Sequence, residues 1–71
     1  MEETVRFTTS KGDILIITKD GLGRDFRFKL LTTDGGGKDA HMLCNGELES
    51  AFESHKQAIQ SAYQEYLDSI K

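Results

Sequence analysis

His41, Cys44 and His55 are the soft metal ligands in the 71 residues, and the His41-x-x-Cys44 spacing could seat two of them on one ion. A structural zinc site wants four ligands, usually paired as Cys-x-x-Cys or His-x3-His, so Asp39 or a residue of a partner would have to complete it. We therefore expect no metal. Cys44 reads as a small buried hydrophobe and His55 as an interface or core-edge residue. The same three residues could supply a thiol nucleophile and a base, but no third orienting group or oxyanion feature accompanies them, so no catalytic residue is assigned and no enzyme is expected. Gly35-Gly36-Gly37-Lys38 has the glycines and the lysine of a phosphate-binding loop without its G-x4-G-K-[ST] order. Asp39, following the lysine, would repel a phosphate. This stretch reads as a flexible connector, and no cofactor is expected. Asp20 and Asp25 with the glycines between them lack the alternating acids and terminal Glu of a calcium loop and read as a turn.

The elements that must position any site are constrained by size. Seventy-one residues form one domain, which buries only about 60% of the surface its unfolded chain exposes and so has little stability to spare. A single cysteine allows no internal disulfide, which points to a reducing compartment with the cytoplasm as the default. The acidic start, Met1-Glu2-Glu3-Thr4, has no basic segment leading into an apolar one, so no secretory signal is expected. The longest apolar run, Ile14 to Ile17, falls far short of the roughly 20 residues a membrane span needs. Net charge is −3, unevenly spread: residues 1–38 hold seven basic and six acidic groups, and residues 39–71 hold two and six, giving +1 and −4. With a pI near 5.2, this is not the clustered basic face of a dedicated nucleic-acid binder.

Residues 4–9 alternate apolar and polar, predicting a strand with Val5, Phe7 and Thr9 on one side. Residues 13–18 form a second strand whose Ile14-Leu15-Ile16-Ile17 core is apolar on both faces, as for a strand covered on both sides or one whose second face meets a partner. After a turn at 19–25, residues 26–32 alternate again, with Phe26, Phe28 and Leu30 inward and Arg27 and Lys29 outward. Residues 40–44 are apolar enough for a short fourth strand. From there Leu48, Ala51, Phe52, Ala58, Ile59, Ala62, Tyr63, Tyr66 and Ile70 recur at helical spacing, predicting one helix over 46–70 capped by Asn45. The alternative is a hairpin at Asn45-Gly46, with residues 47–52 as a fifth strand and the helix starting at Ser54 in a Ser54/Gln57 capping box. The fold class is α+β: a small antiparallel meander of three to four strands followed by one long C-terminal helix.

A helix over 46–70 would outrun strands of six or seven residues by roughly 15 Å and carry its apolar stripe with it. Uncovered apolar side chains each forgo about 1.5–3 kcal/mol of burial, so a partner is expected, most economically a second copy. The expected function is therefore a non-enzymatic interaction domain, acting as a homodimer or on another protein, with Phe52, His55, Ile59, Tyr63, Tyr66 and Ile70 as the contact surface. An inhibitor of the kind phages and mobile elements encode is one concrete version. The alternative is a weak nucleic-acid module using Arg6, Arg27 and Lys29 on the outer sheet face. In architecture alone the pattern resembles the many short bacterial and phage proteins that join a small meander to one terminal helix, a likeness that implies no mechanism.

Overall fold

The computed structural model describes residues 3–22 and 24–71. Five antiparallel strands lie in sequence order, β1 (Glu3–Thr8), β2 (Ile14–Lys19), β3 (Phe26–Leu31), β4 (Gly37–Met42) and β5 (Leu48–Glu49), followed by one helix, α1 (Glu53–Ser69). The α+β meander with a C-terminal helix is thus as the alternation and the helical stripe predict. Each neighbouring pair is antiparallel, with Val5 opposite Ile17, Ile17 opposite Phe28 and Phe28 opposite Ala40. Because side chains alternate across a strand, that register sends Val5, Phe7, Leu15, Ile17, Phe28, Leu30, Ala40 and Leu48 to one face. There they meet Ile59 and Ala62 of α1, and Leu15, Phe28, Leu30 and Ile59 are essentially free of solvent.

Three of the four strand connections use one device. In each, a residue's N–H bonds the carbonyl four positions on, and a glycine three positions on returns its N–H to the first residue's carbonyl. Thr9 pairs in this way with Asp13 and Gly12, Thr32 with Gly36 and Gly35, and Leu43 with Glu47 and Gly46. The three glycines have φ of 90°, 89° and 88°. This is the pattern of a type I turn closed by a left-handed glycine bulge, a short loop whose twist suits antiparallel strands.

Two sequence expectations are corrected by these turns. Asn45-Gly46 is a hairpin and not the start of a helix. The Asn45 side chain accepts the Glu47 N–H at 3.1 Å, and Leu48 pairs with Met42 to form the fifth strand. The helix runs over 17 residues from Glu53, preceded at the cap by Phe52, whose side chain makes no cap bond, so neither the Asn45 cap nor the Ser54/Gln57 box is used. The triple-glycine stretch is likewise a structured turn leading into β4, which begins at Gly37 and ends at Met42 where 40–44 was expected. Gly35 supplies the positive φ. A Cβ on Gly36 would sit 3.1 Å from the Thr32 hydroxyl and 3.2 Å from Asp34, so the side chains that close the turn would have to yield by a few tenths of an ångström to admit one. Gly23 of the turn predicted at 19–25, like Met1 and Glu2, lies outside the described residues.

Seventeen helical residues span roughly 25 Å and six strand residues roughly 20 Å, so the expected overhang disappears. Ile59→Ala should cost about 2–5 kcal/mol in urea unfolding, as removal of a fully buried side chain from a packed core does. At Gly46 an added Cβ meets no atom within 4 Å, so Gly46→Ala should cost only the backbone penalty of about 1–2 kcal/mol.

Candidate functional site

One helix covers one face of the sheet. The other face is built from the alternate strand residues, and the register sorts them into rows running across the strands. The first row is Thr8, Ile14, Leu31 and Gly37; the second is Arg6, Ile16, Lys29 and Asp39; the third is Thr4, Thr18, Arg27, His41 and Glu49. Ile14, Ile16 and Leu31 are half-buried there although no element packs over them, each flanked by residues of the adjacent strands. Ile16, Thr18, Arg27, Lys29 and Asp39 line a shallow hollow at the centre of the face.

Arg6, Arg27 and Lys29 are exposed and share this face, as their alternation implies. Lys19 does not join them: it stands on the helix side and pairs with Glu3 at 3.1 Å. Acids accompany the three cations. Asp39 is the direct cross-strand partner of Lys29, and Glu49 is that of His41. His41 Nε2 contacts Asp25 Oδ1 at 2.6 Å, tying β4 to the loop before β3. No phenylalanine or tyrosine of the described strands stands on this face, since Phe7, Phe26 and Phe28 are all on the helix side.

The helix residues expected to form a contact surface are divided. Ile59 is fully buried in its own core. Tyr63 packs edge-on against Phe28 at 5.0 Å and Tyr66 against Phe7 at 5.7 Å, so both rings cover this chain's own sheet. Phe52 and Ile70 are exposed at opposite ends of the helix, 63% and 62%, and His55 lies edge-on to Phe52 at 5.2 Å. Cys44, expected buried, is exposed in the β4–β5 turn. His41 is on the helix-free face and His55 on α1, and among the described residues no three metal-ligating side chains come together. Ile14 and Ile16 fall on the second face that the doubly apolar run at 14–17 implied, whereas Leu31 and Glu49 join that face only through strand pairing.

One end of this face is held by the β3–β4 turn. The Thr32 hydroxyl donates to the Asp34 carboxylate and the Gly36 N–H donates to it at 2.9 Å, while Thr33 N–H reaches across to Asp13 at 3.2 Å. These donors, Thr32 first and Gly36 second, with a smaller contribution from the Lys38 charge, hold the Asp34 carboxyl below the usual aspartate range.

No helix among the described residues is long and apolar enough to cross a membrane. Comparison with protein-family models, with curated proteins and with solved structures found no match.

A carboxyl whose folded pKa is depressed contributes stability above its unfolded pKa and loses it as pH falls through the folded value. An NMR titration should therefore give Asp34 a midpoint below that of an unstructured aspartate, and Thr32→Ala should move it back up. An ordinary midpoint in the unaltered protein would refute the capped turn.

Proposed function

We propose that this chain is a non-enzymatic interaction domain that binds another protein through the helix-free face of its sheet. The observation that carries the reading is the half-buried aliphatic set of Ile14 and Leu31 in the end row and Ile16 in the middle row, left uncovered by α1 and adjoined by Arg6, Lys29 and Asp39. Protein–protein contacts combine apolar area with flanking polar and charged groups, as this face does. The contact surface expected on the helix gives way to the sheet, because the apolar stripe of α1 is spent on the core.

A second reading, a weak nucleic-acid module, draws support from the three cations sharing one face. Two observations favour protein over it: the face has no phenylalanine or tyrosine on which a base could stack, and Asp39 adjoins Lys29.

The readings separate by experiment. Ile16→Thr keeps β-branching and removes apolar contact area, so the variant should fold as before by circular dichroism yet lose proteins that the unaltered chain retains from a host lysate. An identical retained set would count against the helix-free face. For nucleic acid, affinity for a labelled oligonucleotide should fall with salt, and Arg27→Ala should reduce the log–log slope by about one; absence of binding at low salt removes that reading.

A further inference from the structure

The rows of the helix-free face carry a charge order as well as aliphatic residues. Along the middle row it reads cation, aliphatic, cation, acid: Arg6 on β1, Ile16 on β2, Lys29 on β3, Asp39 on β4. Resting on the reading that this face is the binding surface, we propose that its occupant is a second copy of the chain, packed face to face about a two-fold axis parallel to the strands.

The argument is one of symmetry and charge. Two identical faces that meet must be related by a two-fold axis lying between the sheets. An axis along the strands that passes between β2 and β3 keeps each row opposite itself but reverses strand order, so β1 lies over the partner's β4 and β2 over its β3, whereas one over β3 would set Lys29 against Lys29. Arg6 then faces the partner's Asp39, and the stem of Lys29 lies on the partner's Ile16. In the neighbouring row Ile14 meets the partner's Leu31, joining two half-covered aliphatic patches into one. Each opposed pair occurs twice, once in each direction. An axis across the strands would instead lay each strand over its own copy, bringing Arg6 to Arg6, Lys29 to Lys29 and Asp39 to Asp39. Like charges directly opposed disfavour that arrangement, so the observed order selects the first.

The face also suits a reversible contact. Four strands by six residues measure roughly 19 by 20 Å, so the two faces together cover roughly 760 Å², below the about 1,000 Å² of most stable specific interfaces and in the range of weak, transient ones. The association is expected to be weak and concentration-dependent.

Charge reversal tests the geometry directly. Arg6 and Asp39 are both exposed and outside the core, so Arg6→Glu and Asp39→Arg should leave the circular dichroism spectrum unchanged. In sedimentation equilibrium from micromolar to near-millimolar concentration, the unaltered protein should approach twice the 8.0 kDa chain mass. Each single variant should weaken the dimer about tenfold or more. An equimolar mixture of the two should recover it. In the mixed dimer the carboxylate introduced at position 6 of one chain faces the guanidinium introduced at position 39 of the other, while the unaltered Arg6 and Asp39 pair as before. A monomer throughout, a dimer insensitive to either reversal, or variants that fail to recover on mixing would overturn the proposal. If the protein stays monomeric while Ile16→Thr still alters capture, the second copy is lost and a different protein keeps the face; if capture is also unaltered, the binding face itself is refuted.

Discussion

The structure depends on a mismatch of coverage. A five-stranded sheet has two faces, and the chain supplies one helix to cover them. A helix is about 10 Å across, enough for the central strands of one face, and α1 fills that role with Ile59 and Ala62 pressed onto Leu15, Phe28 and Leu30. Every phenylalanine except Phe52, and both tyrosines, stand on that side, where ring meets ring between sheet and helix. Burial of rings is the largest single source of apolar stabilisation open to so short a chain. Concentrating them on one side left the other to aliphatic, threonine and charged residues.

That division explains why the helix is shorter than its apolar stripe. Leu48 and Phe52 lie in phase with Ala58, Ile59 and Tyr66 on a helical wheel, yet Leu48 is a buried strand residue and Phe52 an exposed one ahead of the helix. Pairing Leu48 with Met42 adds a fifth strand and closes the core at the β4 edge. The same turn chemistry that builds the first and third hairpins is available at Leu43-Cys44-Asn45-Gly46, and a glycine with φ near +88° completes it. Local turn preference and the burial of Leu48 act together there, and together they outweigh helical continuity.

The loops at the sheet's ends are tied to neighbouring elements and to one another. Ser10 N–H reaches Glu65 of the helix at 3.1 Å, and Thr33 N–H reaches Asp13, so the first and third hairpins are joined at one end of the sheet. No buried side-chain nitrogen or oxygen among the described residues lacks a hydrogen-bond partner. In a small domain each such orphan would cost a large share of the net stability.

The sequence by itself determined the strand alternation, the inward set Val5, Phe7, Phe28 and Leu30, the placement of Arg6, Arg27 and Lys29 away from it, and a C-terminal helix carrying Ile59, Ala62, Tyr63 and Tyr66 on one apolar stripe. These follow from local periodicity, which the chain carries residue by residue. Only the tertiary structure decided where the helix begins, that Leu48 forms a strand, that the triple glycine is a closed turn, and which residues from different strands stand side by side. Those depend on pairing register, which the closed glycine turns and the burial of one face fix together once neighbouring strands pair. The candidate face belongs to the second group: its cations were legible one by one, but the order of charge across β1 to β4 exists only once the strands are aligned.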